Sequence, residues 1–157
     1  MKTPSYKRRS FIKAGLAIPL LGNLPLKSAF AHNSMPGLLS VPKNIHDELI
    51  KLYGDQANNI VGSYKLHILA PDIAEDGSVV PVSVVGDHGF ITSAAIFVAA
   101  NKKPLASTFK LHEGADLKVA LRVKLDKTSD VYVVGQTKNG LVGINKTIKV
   151  TIGCGGF

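Results

Sequence analysis

The chain holds a single cysteine, five histidines and eleven acidic residues, and any catalytic or ligand-holding group must come largely from these. Cys154 stands in the stretch VTIGCGGF, after a strand-like run, with Gly153 before it and Gly155 and Gly156 behind. Glycine neighbours offer no side chains to bury the thiol, and no second cysteine exists to pair with it in a disulfide. A solvated cysteine has a pKa near about 8.5, so only a few per cent is thiolate at neutral pH. Such a group is a nucleophile that waits for a partner enzyme to activate it. Sulfur of this kind also bonds to sulfur in other oxidation states, as persulfide or thiosulfonate. Three residues beyond the last strand residue, fully extended, reach about 10 Å. Glycine's permissive backbone lets such an arm bend, and backbone N–H groups at Gly153, Gly155 and Gly156 can cradle an anionic sulfonate. The chemistry expected of Cys154 is therefore covalent carriage on an arm, not catalysis.

Other uses of the same side chains fit less well. His46, His67, His88 and His112 are scattered over a helix, a strand and turns, with no HxH, HExxH or Cys/His spacing that would hold a metal. The one sharp metal alternative is copper bound by the imidazole and α-amino group of His32, were that residue the mature N-terminus. Asp72, Glu75, Asp76 and Asp87 fall in expected turns, where solvation accounts for them. No nucleophile elbow, phosphate loop or dinucleotide fingerprint is present. The CGGF ending has the outline of a prenylation box without its aliphatic middle. A Gly-Gly thiocarboxylate donor would need glycine last, where Phe157 stands. A passive binding module whose Cys154 only cross-links dimers stays open, because an exposed thiol oxidises readily in an oxidising compartment.

The compartment is read from the other end. Lys2, Lys7, Arg8, Arg9 and Lys13 lead into an apolar stretch from Ala14 to Leu26, followed by Ala29-Phe30-Ala31. This is the tripartite layout of an export signal. Arg8-Arg9 with Ser10-Phe11-Ile12-Lys13 has the pattern of the twin-arginine box. Gly15, Pro19, Gly22 and Pro25 interrupt the apolar run, which is shorter than the roughly 20 residues of a membrane span. Residues 1–31 are expected to be a cleaved twin-arginine signal, giving a periplasmic protein without a membrane anchor. Six of the nineteen Lys and Arg residues lie there with no Asp or Glu, so cleavage lowers the formal charge from +8 to +2. The high isoelectric point then belongs to the signal, and a nucleic-acid partner is not expected.

The elements that must position Cys154 follow from periodicity. Residues 32–43 read as a Pro- and Gly-punctuated leader. NIHDELIKLYG predicts a short helix with Asn44 as N-cap, Asp47 in capping-box position and Gly54 as the stop. Its apolar stripe is Ile45, Leu49, Leu52 and Tyr53. From Ile60 onward the period is two. LKVALRVKL alternates cleanly, with Leu117, Val119, Leu121, Val123 and Leu125 on one face and Lys118, Arg122 and Lys124 on the other. IAEDG reads as a turn or strand end, Pro81 belongs at an edge or bulge, and Lys138 to Gly140 form a hairpin turn. About seven strands without alternating helices predict an all-β chain over residues 44–152, an immunoglobulin-like antiparallel sandwich with one N-terminal helix. Residues 153–157 would be the carrier arm.

With these residues in view, the chain resembles the SoxY family, the sulfur carriers of the periplasmic thiosulfate-oxidising system. The resemblance runs through the twin-arginine signal, the helix, IAEDGSVVPV (similar to the family's I-A-E-N-G-x-x-V-P-V), TFKL and KVTIGCGG. The family tail is usually Gly-Gly-Cys-Gly-Gly. Here one glycine fewer precedes the cysteine, and Phe157 follows. The resemblance implies an immunoglobulin-like sandwich that is a substrate-carrying subunit, not an enzyme. It implies a heterodimer with a small SoxZ-like sandwich subunit. It also implies visits from a haem conjugating enzyme, a sulfate-releasing hydrolase and, in some organisms, a molybdenum–haem sulfane dehydrogenase. Haem, molybdenum and manganese belong to those partners, and this chain is expected to hold no cofactor beyond covalent sulfur on Cys154.

Overall fold

A computed structural model of the protein describes residues 37–87 and 89–152. The export signal assigned to residues 1–31, the start of the leader, His88 and the arm at residues 153–157 lie outside the described residues. Along the chain come α1 (Lys43–Tyr53), a 3-10 turn (Gly54–Asn58), β1 (Ile60–Gly62), β2 (Leu66–Leu69), β3 (Ile73–Asp76) and β4 (Val80–Gly86). Then follow β5 (Ser93–Val98), β6 (Leu105–Lys110), β7 (Lys118–Val123), β8 (Ser129–Thr137) and β9 (Gly140–Ile152). The strands form two sheets, a six-stranded one in the order β1-β9-β8-β5-β6 with β3 also on β9, and a three-stranded one in the order β2-β4-β7.

Alternation decides which face of each strand goes inward. Val80, Val82 and Val84 on β4 and Val123 on β7 turn toward Ile96, Val98, Val131 and Val133 of the larger sheet, all buried. This is the core of the sandwich, and each such side chain contributes about 1.5–3 kcal/mol by leaving water. The opposite face of the larger sheet is covered too. Ala95 and Phe97 of β5 and Tyr132 and Val134 of β8 pack with Ile45 and Leu49 of α1 in a second cluster. Both faces of β5 and β8 are therefore apolar, which is why FITSAAIFVAA carries no alternation. The described residues form a three-layer stack of helix, large sheet and small sheet.

The expected β-sandwich with one short helix is present, and its details differ in four places. Among the described residues nine strands form where about seven were expected, because β1 and β3 are three and four residues long and too short for a periodic signal. Both run parallel to β9, Ile60 opposite Leu141 and Ile73 opposite Lys149, so the sandwich is not purely antiparallel. Asn44 is not the N-cap. Pro42 is, its carbonyl accepting from Ile45 and His46 at 3.0 and 2.9 Å, and no side chain caps the helix. Asn44 sits inside the first turn and donates through Nδ2 to the Ala99 carbonyl at 2.9 Å, tying α1 to the end of β5. Of the expected stripe, Ile45, Leu49 and Tyr53 pack into the core while Leu52 stays 41% exposed, and Ala57 of the 3-10 turn is buried with them.

Other expectations hold. Gly54, at φ 59°, ends the helix with its N–H on the Ile50 carbonyl, a left-handed conformation that glycine adopts without a Cβ penalty. Lys138 and Asn139 form the two-residue turn between Thr137 and Gly140. Pro81 pairs with β7, but β2 has already ended at Leu69 opposite Ser83, so the missing N–H falls where the strand is locally an edge. The described part of the leader extends the large sheet, with Leu39 N–H on the Ile60 carbonyl at 2.7 Å and Gly62 N–H on the Gly37 carbonyl at 2.8 Å.

Candidate functional site at the root of the arm

β9 feeds the residues singled out for chemistry, so the question is how its end is held. Its antiparallel neighbour β8 pairs with it from Thr137–Gly140 to Ser129–Ile148 and then stops. Four further residues, 149–152, continue as strand without β8. β3 takes over on one side in parallel, with Ala74 opposite Val150 and Asp76 opposite Ile152. Lys149 N–H donates to the Asp72 carbonyl at 2.9 Å, and Thr151 Oγ1 donates to the Glu75 carbonyl at 3.0 Å. On the other side stands Thr128. Its Oγ1 accepts the Val150 N–H at 3.0 Å and lies 3.5 Å from the Val150 carbonyl, to which it donates.

The turn after β3 is built tightly. Asp76 accepts the Ser78 N–H on Oδ1 at 2.8 Å and the Ser78 hydroxyl on Oδ2 at 2.7 Å. These two bonds, the backbone one first, hold the Asp76 carboxyl below the usual carboxylate range against a small opposing effect of burial. Between them, Gly77 lets its carbonyl accept from Leu125 N–H at 2.7 Å. A Cβ at Gly77 would lie 2.3 Å from the Leu125 carbonyl oxygen and 3.0 Å from Val150 Cγ1, so this approach admits only glycine without a shift.

The β7–β8 connection that supplies Leu125 and Thr128 is itself pinned. Asn101, in the β5–β6 connection, donates to the Lys124 carbonyl at 2.7 Å and accepts the Asp126 N–H at 3.1 Å. Ser129 Oγ accepts the Ala100 N–H at 3.0 Å. Three connections, after β3, β5 and β7, are thus hydrogen-bonded into a collar, and the one after β7 clasps the last residues of β9 from the side opposite β3. Higher on the same strand, Lys146 Nζ reaches the Ala70 carbonyl at 2.6 Å and Asp72 Oδ1 at 3.0 Å, closing the passage where the chain crosses from β2 to β3.

Cys154, Gly153, Gly155, Gly156 and His32 all lie outside the described residues. The remaining histidines are placed apart. His46 meets Asn58 through Nε2 at 3.1 Å, His67 is exposed on β2, and His112 is exposed in a loop. Among the described residues, no three His, Cys, Asp or Glu side chains gather where a metal could be held. No described helix is long and apolar enough to cross a membrane. Glu75 and Asp76 are exposed, as expected, but they are strand residues where a turn or strand end was expected, because parallel pairing with β9 extends β3 through them. The sequence signal for their role was the Asp76-Gly77-Ser78 spacing of a side-chain-capped turn. Thr128 and Asn101 had no local signal, since their partners lie 22 and more residues away.

The comparisons with known proteins bear on this end of the molecule. The profile of the family described as sulfur oxidation protein SoxY matches residues 50–154, a stretch that includes the collar and ends on Cys154. A solved structure of the sulfur carrier protein SoxY from Chlorobium limicola f thiosulfatophilum is 32% identical, with a TM-score of 0.64 over 69% of this chain and 97% of that one. A superoxide reductase (neelaredoxin) from Ignicoccus hospitalis matches at 21% identity and a TM-score of 0.49, over 55% of this chain and 79% of that one. Among curated proteins no match is found. Residues 50–154 are two-thirds of the chain, and on that match the chain belongs to the SoxY family of sulfur oxidation proteins.

Proposed function

We propose that the chain is a covalent carrier of sulfur intermediates in periplasmic thiosulfate oxidation, with the Cys154 thiol as the carrying atom. The observation that supports this most is that the family match runs to Cys154 itself, two residues past a strand held by hydrogen bonds on both sides. Loading joins the cysteine sulfur to the sulfane sulfur of thiosulfate. The thiol proton is released and two electrons pass to a haem-bearing conjugating enzyme, leaving Cys–S–S–SO3⁻. A hydrolase then adds water across the terminal S–S bond, releasing hydrogen sulfate and leaving Cys–S–SH for further oxidation. Every redox and hydrolytic group resides in a visiting enzyme, so this chain supplies a nucleophile and a handle but no catalytic residue and no cofactor. The Arg8-Arg9 signal takes it to the periplasm by the twin-arginine route. That route moves folded cargo, and a small SoxZ-like subunit travelling with the chain as a heterodimer accounts for its use.

Intact-mass spectrometry of the processed protein, incubated with thiosulfate and the conjugating enzyme, tests this. Thiosulfonate and persulfide adducts that a thiol reductant removes are expected on the wild type and absent from Cys154→Ser. A wild-type mass that stays at the free thiol or the disulfide dimer, or adducts that persist in the serine variant, would overturn it.

A further inference from the structure

We propose that Thr128 is a positioning residue for the carrier cysteine, its hydroxyl standing in for the strand partner that β9 loses and so fixing the strand end that Cys154 follows in sequence. The inference rests on the carrier reading and adds to it a residue that neither the family motif nor the sequence pattern marks. β8 pairs with β9 only as far as Ile148. Beyond that point β3 pairs with one edge of β9 only, and a strand end paired on one side frays more readily, because each rung costs ordering entropy that hydrogen bonds must offset. At Val150 the hydroxyl of Thr128 both accepts the N–H and donates to the carbonyl, the two bonds that an antiparallel neighbour would make. Thr151 and β3 hold the opposite side through Ile152. Thr128 is itself exposed and lies in a connection fixed by Asn101, Ser129 and the Leu125–Gly77 bond, so its backbone is held while its side chain serves β9.

The consequence is geometric. With Val150 held, the thiol stands two residues beyond the last clamped position, Ile152. On the carrier reading, releasing Val150 to Ile152 moves the last held residue from two positions before Cys154 to five, and the thiol's effective concentration at a docked enzyme falls with a power of about −3/2 in that length. A few-fold loss of productive encounters is expected, with no change in what the thiol does once it arrives.

The test compares Thr128→Val, which keeps shape and removes the hydroxyl, with Thr128→Ser, which keeps the hydroxyl, in the processed full-length protein. Amide exchange at Val150, read by NMR, is expected to be on the order of tenfold faster in the valine variant and close to wild type in the serine variant. With the conjugating enzyme and thiosulfate, KM for the valine variant as carrier is expected to rise a few-fold at unchanged kcat, and the serine variant to restore it. Reaction of Cys154 with a small aromatic disulfide should be equal in all three, since a small reagent needs no positioning. Unchanged Val150 exchange in the valine variant would overturn the hold itself. Faster exchange with an unchanged KM, or a KM that serine does not restore, would reduce Thr128 to a structural role and overturn the proposal. A wild-type protein that is never loaded overturns the carrier reading instead, and shows as such because no variant is needed to see it.

Discussion

Gly77 is the residue at which the collar has no slack. Its missing side chain lets the turn after β3 sit against both the Leu125 carbonyl and Val150, and the next heavy atom is 2.3 Å from where a Cβ would be. Because that atom belongs to backbone, relief requires moving a connection. Gly77→Ala is expected to cost about 1–3 kcal/mol, read as a lower urea midpoint at unchanged slope; a midpoint equal to wild type would show that the collar gives way easily. Asp76 beside it reports the same turn electrostatically. Its folded pKa is depressed, so its contribution is present above the unfolded value and lost as pH falls through the folded one. The group is exposed, and the readout belongs to titration and not to stability. Carboxyl-carbon NMR is expected to show Asp76 titrating below the usual carboxylate range, and Ser78→Ala to move it part of the way back, since the backbone N–H remains. An unmoved midpoint in that variant would remove the hydroxyl from the account.

At the scale of elements, α1 and β5 show how the layers are joined. Leu49 is fully buried between helix and sheet, and Leu49→Ala is expected to cost about 2–5 kcal/mol. Asn44→Ala, which removes the bond to Ala99, is expected to cost about 0.5–1.5 kcal/mol without loss of far-UV helical signal, because Pro42 caps the helix whether or not the asparagine is there. A shortened helix in that variant would return Asn44 to a capping role. The helix was legible in its own residues, down to the stop at Gly54, and so was the clean alternation of β7. β5 was legible as a strand but not as a doubly covered one, since an apolar run does not say what packs on each side. β1 and β3 were not legible as strands. Three or four residues carry no periodicity, and what makes them strands is β9, contributed from far along the chain. Cys154 stood out by elimination among the chemistry-bearing residues, whereas Thr128 and Asn101 matter only through distant loop contacts that no local pattern encodes.

For the whole molecule, the proposed processing would change the charge. The formal charge is +8 for the entire sequence, and residues 1–31 carry six of its basic side chains. Replacing Arg8 and Arg9 by lysine is expected to leave the precursor in the cytoplasm, and wild type from the periplasm to have a mass beginning at His32; unprocessed protein in the periplasm would sink the signal assignment. The placement of β9 has a consequence for biogenesis as well. β2, β4 and β7 can join as soon as they leave the ribosome, and so can β5 with β6. β3 must wait for a partner whose residues come 76 positions later, Thr151 for Glu75. Completion of the described domain therefore waits for β9, the last of the described strands, which leads to the thiol. On the proposed twin-arginine route, a translocase that accepts only folded cargo would in effect inspect the strand end that precedes the cysteine, and chains in which that end has failed would stay behind in the cytoplasm.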